Sequence, residues 1–209
     1  MTLRIERVRT SGVFSIDGAD YDVENNIWIL GDDNRVIVVD AAHDAQPIVE
    51  AVGGRDALMI VATHGHNDHI NAAVDLAYAL DAPVALHPAD RPLWDAIHPD
   101  HAPDVDLGDG DRFDIGGHRI DVAHTPGHSP GGVCLHLVPE GVVFSGDTLF
   151  AGGPGATGRS GSDFPTIIES IRNKLLGLPA GTVVHTGHGD DTSIGTEAPH
   201  LQEWIERGH

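Results

Sequence analysis

The apolar run Ala57-Leu58-Met59-Ile60-Val61-Ala62 breaks off directly into Thr63-His64-Gly65-His66-Asn67-Asp68-His69, so four metal-binding side chains fall within six residues at the exit of a buried strand. Imidazole suits zinc, iron and related divalent ions, and a nearby carboxylate adds a hard anionic ligand. A helix-borne pair would need its two histidines at i, i+4. His64 and His66 stand two apart instead, which on an extended segment points both rings to one side. Asp68 and His69 are adjacent and can diverge towards a second ion. Fifteen histidines raise the odds of a fortuitous polar cluster, so the reading depends on what the other strand ends carry.

Short runs rich in Val and Ile, bounded by Gly, Asp or Asn, read as strands at Leu3–Val8, Asn26–Leu30, Arg35–Val39 and Ala57–Ala62, with Gly31-Asp32-Asp33-Asn34 as a hairpin turn. Asp40 follows one of these runs and has two readings, a turn cap or a carboxylate orienting a metal-bound histidine. Ala45–Val52 is a short helix stopped by Gly53-Gly54. Apolar residues at 70, 73, 74, 77 and 80 predict a helix over Ile70–Leu80. Pro83–His87 reads as a strand, Ala89–Ile97 as a helix and His98–Gly110 as a surface connection, in which His98 and His101, like His87 before them, are structural or solvated.

The second half repeats the order of strands, histidine turn, strand and helix. Strands are expected at Asp111–Ile115 and His118–Ala123, before the Pro- and Gly-rich turn His124-Thr125-Pro126-Gly127-His128-Ser129-Pro130-Gly131. Asp147 in Ser145-Gly146-Asp147-Thr148-Leu149 sits at a strand exit as His64 does. Ala151–Ser162 holds five Gly and no periodicity; it is a loop, and its one cation, Arg159, is placed in solvent rather than against a substrate anion. Asp163–Leu176 is an amphipathic helix with Asp163 at its N-cap, Thr182–His185 the last strand, His188 the centre of a Gly-flanked turn, and Pro199–Glu206 a closing helix.

Seven candidate ligands, His64, His66, Asp68, His69, His128, Asp147 and His188, exceed what one tetrahedral ion uses. Their natural division gives His64, His66 and His128 to one ion and Asp68, His69 and His188 to another, with Asp147 bridging. Asp68 and Asp147 are thereby the catalytic carboxylates. Water between two such cations is acidified far below its bulk pKa of about 15.7 and becomes a nucleophile near neutral pH, the chemistry of activated-acyl hydrolysis. No Ser nucleophile is called for, since no Ser-His-Asp arrangement can be argued from these spacings.

Composition narrows the partners. Twelve basic against thirty-two acidic residues give 12 − 32 = −20, a field that repels phosphate backbones, so no nucleic acid is expected. The lone Cys134, inside an apolar run, excludes an internal disulfide and reads as a buried, inert thiol. No apolar stretch reaches membrane-spanning length, and the expectation is a soluble, cytoplasmic protein with a small-molecule substrate and no membrane partner. At 209 residues it reads as one domain of two pseudo-repeated halves, about 1–110 and 111–209.

His-x-His-x-Asp-His at His64–His69 resembles the signature of the metallo-β-lactamase-fold hydrolases, and Pro-Gly-His at His128, Ser-Gly-Asp-Thr-Leu-Phe at Asp147 and Gly-His-Gly at His188 resemble that family's later ligand motifs, in order. The last two look most like the short form of the glyoxalase II branch. The resemblance implies an α/β fold, an αββα sandwich of two facing mixed sheets with helices outside. It also implies a site for two divalent ions at one edge, zinc first, with iron or manganese as alternatives. The implied activity is hydrolysis of a small-thiol thioester. A one-iron persulfide dioxygenase, a lactonase and a non-enzymatic metal-binding scaffold are the competing readings.

Overall fold

Two-residue alternation dictates the layers of this protein. Along β2 (Ala19–Gly31), Ile27 and Ile29 face one way, and Trp28 and Leu30 the other; along β3 (Arg35–Val39), Val36 and Val38 oppose Ile37 and Val39. All are buried, so both faces of these strands are covered. The computed structural model, which describes residues 3–208, shows how. One six-stranded sheet runs β1 (Arg4–Ile16), β2, β3, β4 (Asp56–Val61), β5 (Val84–Leu86) and β6 (Val105–Asp106), antiparallel up to β3 and parallel beyond it.

A second six-stranded mixed sheet contains β7 (Arg112–Ile115), β8 (His118–His124), β9 (Val133–Leu137), β10 (Val142–Gly146), β13 (Val183–Thr186) and β14 (Thr192–Ser193). A separate two-stranded ribbon joins β11 (Leu149–Phe150) to β12 (Gly153–Pro154). Trp28, Leu30, Ile37 and Val61 of the first sheet meet Ile120, Leu135 and Phe144 of the second in the central core. Helices α1 (Ala45–Val52), α2 (Asn67–Ile70), α3 (Ala73–Leu80) and α4 (Arg91–Ile97) accompany the first sheet, and α5 (Phe164–Ser170), α6 (Ile194–Glu197) and α7 (Leu201–Arg207) the second. Ile48, Leu76 and Trp94 pack the first outer face; Ile167, Ile171 and Trp204 pack the other. This is the expected αββα sandwich.

Several elements differ from expectation, among them the short strands β6 and β12, which lie inside the connection expected over His98–Gly110 and the loop expected over Ala151–Ser162. β1 and β2 run far beyond Leu3–Val8 and Asn26–Leu30, pairing in unbroken register from Arg4↔Gly31 to Ile16↔Ala19 around Asp17-Gly18, both at positive φ. That is a two-residue hairpin turn whose twist suits the strands. The helix expected over Ile70–Leu80 is interrupted, because the Ala72 N–H turns to the Ala41 carbonyl (3.0 Å) and splits α2 from α3. The helix expected over Asp163–Leu176 starts as read, with the Asp163 carboxylate accepting from the Thr166 N–H, but widens to a π turn over Ile171–Leu175.

Candidate metal centre

Strands β4, β8, β10 and β13 end at one edge of the sandwich, and the turns leaving them carry His64, His66, Asp68, His69, His128, Asp147 and His188. Their ligand atoms form three overlapping groups: His64 with His66 and His128, Asp68 with His69 and His188, and Asp147 with His64 and His69. His66 Nδ1 lies 3.0 Å from His128 Nε2, and His69 Nε2 lies 3.1 Å from His188 Nε2. Asp147 reaches both groups: Oδ1 is 3.4 Å from His69 Nε2, and Oδ2 is 3.5 Å from His128 Nε2 and 3.4 Å from His188 Nε2. Two nitrogens bound to one tetrahedral ion at about 2.0–2.1 Å stand about 3.3 Å apart, so these separations fit a divalent cation.

The donor set fits one chemically as well. His64 Nε2, Asp68 Oδ1 and Asp147 Oδ1 are buried without a hydrogen-bond partner, an arrangement that is costly unless a cation receives them. Most of the outer ring nitrogens are anchored elsewhere: His64 Nδ1 on the Thr63 hydroxyl (3.1 Å), His69 Nδ1 on Asp40 Oδ2 (2.9 Å), His128 Nδ1 on the Ala156 carbonyl (2.8 Å) and His188 Nδ1 on the Glu24 carbonyl (2.8 Å). Each anchor fixes the tautomer that turns a lone pair inward. Asp40 is thus the orienting carboxylate, and it also ties the turn, accepting from the Thr63 N–H (2.7 Å) and the Thr63 hydroxyl (3.0 Å).

Electrostatics separates the groups. Burial, then the neighbouring imidazoles, pushes His64 and His66 down, His66 to about 3, so both are neutral lone-pair donors. Burial opposes charge on His69 and His188 too, but Asp147 leads the carboxylates that overcome it, raising His69 well above its ordinary value and His188 to about 10. Burial likewise works against the Asp147 carboxylate, yet His188 and His69 hold it well below the usual range. In the metal-free site a second proton, on Nε2 of His69 and His188, balances Asp68 and Asp147; a divalent ion would displace it and leave the Nδ1–H tautomer with its lone pair inward.

Backbone makes room for this. A Cβ on Gly187 would come within 2.3 Å of Asp147 Oδ1, and Gly146, at φ +48, would place one 2.4 Å from Thr63 Oγ1. Asp90, fully buried, binds the Gly65 N–H (2.8 Å), the Gly131 N–H (2.6 Å) and the Ser129 hydroxyl (2.7 Å), locking the His64–His66 turn to the His128 turn. The sequence placed Asp90 in a helix and assigned it nothing. Asn25 has no sequence signature either; its amide reaches Asp68 Oδ2 at 3.1 Å. Other residues lie where expected: Cys134 is fully buried, its thiol pushed up by burial to about 11, and His98 binds the Ile70 carbonyl (2.7 Å). Arg159 is half-buried rather than free in solvent. Its guanidinium stacks 4.6 Å from the Tyr21 ring and 5.9 Å from Phe14, whose ring packs 5.3 Å from His66.

An αββα sandwich with imidazoles and carboxylates converging at the edge of its two sheets defines a class, the metal-dependent hydrolases of this architecture. The family model described as the metallo-beta-lactamase superfamily matches residues 20–188, and the chain belongs to that superfamily. It is 34% identical to the "Probable metallo-hydrolase YqgX" of Bacillus subtilis, over 84% of this chain and 90% of that one. It is 30% identical to the hydroxyacylglutathione hydrolase GloC of Haemophilus influenzae, over 83% and 89%. Among solved structures, the BLEG-1 B3 metallo-beta-lactamase superposes with a TM-score of 0.78 at 30% identity, over 92% of this chain and 98% of that one. TTHA1623 in a di-iron-bound form gives 0.77 at 32% identity, over 88% and 96%. Among the described residues no helix is long and apolar enough to cross a membrane.

Proposed function

We propose that this protein hydrolyses the thioester of a small thiol, using two divalent ions held by His64, His66 and His128, and by Asp68, His69 and His188, with Asp147 shared. The observation that carries the reading is the reach of Asp147, one carboxylate spanning both imidazole groups. Ions bound there supply an acidified water and a Lewis-acid contact for the acyl oxygen. Asp40 keeps the inward lone pair of His69 in place directly, and that of His64 through Thr63. Phe14, from the long hairpin, covers His66 and keeps bulk water from that side. Arg159, clamped on Tyr21 and Phe14, puts a positive charge beside the site in a chain of net charge −20, which favours a thiol bearing an anionic group.

Likeness to GloC supports the thioester, and zinc is the ion we assign first. A panel of thioesters, lactones, β-lactams and thiol persulfides, run with elemental analysis, tests the reading. S-acyl thioesters turned over best with about two ions per chain is the expected result. Oxygen consumption on a persulfide with one iron per chain, or preference for a lactone or β-lactam, overturns it. Asp147→Ala is expected to lose metal and activity together; unaltered thioester hydrolysis by that variant also overturns the reading.

A further inference from the structure

Above the Asp68, His69 and His188 group runs a chain of polar side chains that the catalytic reading leaves unused. It starts at backbone. The His43 N–H donates to Asn71 Oδ1 at 2.6 Å, so the other end of that amide, Asn71 Nδ2, is the donor 3.2 Å from His43 Nδ1. His43 Nδ1 therefore accepts, and its single proton sits on Nε2, which donates to Asn25 Oδ1 at 2.8 Å. Burial holds His43 below its ordinary value, in keeping with one ring proton. The Asn25 carboxamide has one orientation left: its oxygen faces His43 and its NH2 faces the candidate site, 3.1 Å from Asp68 Oδ2, 3.2 Å from His69 Nε2 and 3.4 Å from His188 Nε2.

An amide NH2 carries no lone pair for a metal, which removes Asn25 from the ligand set and makes it a donor. Asp68 Oδ2 is the oxygen it holds, the same oxygen that lies 3.3 Å from His188 Nε2 and 3.6 Å from His69 Nε2. The relay is built in rather than incidental. Asn25 is fully buried, His43 sits at φ +63, and a Cβ on Gly12 would stand 2.2 Å from His43 Nδ1, so β1 lacks a side chain where the ring passes.

We propose that Asn25, locked in one amide orientation by His43 and Asn71, is a positioning residue that fixes the Asp68 carboxylate beside His69 and His188 for the second ion. This rests on the two-ion reading above, and its readout is metal uptake rather than turnover. Metal-free wild type, Asn25→Ala and His43→Asn, the last chosen because Asn tolerates positive φ, are titrated with Zn2+ against a chromophoric chelator, and two stepwise constants are fitted. Asn25→Ala should weaken the second step about 10-fold or more and leave the first within about threefold, the range for losing a partner of a ligand. His43→Asn should weaken the second step in the same direction, by less than Asn25→Ala but by more than any change in the first step, since Asn25 stays but its amide is free to turn.

An unchanged second step in Asn25→Ala, or both steps weakened alike, overturns the inference. If Asn25→Ala does not fold, His43→Asn decides by the same criterion. Wild type that takes up one ion sinks the two-ion reading itself, whereas two ions in wild type with an insensitive second step sink this inference alone.

Discussion

Asp40→Asn separates orientation from packing at the candidate centre. Asp40 is buried at φ +63, a conformation Asn tolerates nearly as well, so the substitution adds little backbone strain and almost no change in volume. What changes is one donor. Three hydrogens point at the carboxylate: the Thr63 N–H at Oδ1, and the Thr63 hydroxyl and His69 Nδ1–H at Oδ2. If the Asn oxygen stays on Thr63 N–H, the new NH2 faces His69 Nδ1 and drives the ring proton to Nε2, the nitrogen that turns towards His188 and Asp147. If the amide turns over, the Thr63 N–H is left buried without an acceptor.

Either outcome costs the metal-free fold about 1–3 kcal/mol, the penalty of one buried, unmatched polar group. The first also withdraws the His69 lone pair, and affinity for the second ion should fall about 10–100-fold, equal to about 1.4–2.7 kcal/mol. Urea denaturation of the apoprotein and chelator competition measure the two quantities separately. Wild-type values in both would refute the claim that Asp40 sets the His69 tautomer.

Asp90→Ala strands three buried donors, Gly65 N–H, Gly131 N–H and Ser129 O–H, and should destabilise the protein by about 3 kcal/mol or more in chemical denaturation, with weakened metal uptake. Arg159→Ala should raise KM about tenfold for thioesters whose thiol carries a carboxylate, the loss of one charge-assisted contact, and much less for uncharged ones; equal effects on both would place the anion elsewhere. Cys134, with its thiol pushed up to about 11 from an ordinary 9.0, should not react with a disulfide reagent at pH 8 in the native state. Because burial favours the neutral thiol, its contribution to stability is present below pH 9 and lost as pH rises to about 11, which an unfolding series across that window reads out.

Strand exits were the most legible part of the sequence, because a strand's apolar run and the ligand that follows it lie within a few residues. His64, Asp147 and His188 were each found that way, and the structure brings all three to one sheet edge. The Asp163 cap was equally local. What escaped depends on partners far along the chain: Asn25 meets Asp68 43 positions on, and Asp90 meets Gly131 41 positions on. Neither has a periodic signature, since each is a polar residue whose value lies in what another element brings to it. The outer half of the β1–β2 hairpin was lost for a different reason. Its residues alternate between half-buried and exposed rather than forming an apolar run, so only Asp17-Gly18 marked it. Arg159 followed from that loss, because the aromatic rings that hold it belong to the unseen part of the hairpin.

The anchors behind the candidate ligands explain why the site lies at the edge between the sheets. His188 leaves β13 of the second sheet, yet its outer nitrogen binds the carbonyl of Glu24 on β2 of the first. Asn26, also on β2, closes the same seam with its side-chain amide on the Thr186 and Gly189 carbonyls and its N–H on that of Gly187. Asp90, following β5 of the first sheet, holds Ser129 and Gly131 between β8 and β9 of the second. The two ligand groups are thus assembled across the junction, each needing residues from both sheets. Neither half of the chain could orient them alone, and a side chain that tightens the junction acts on ligand geometry even from outside the ligand set.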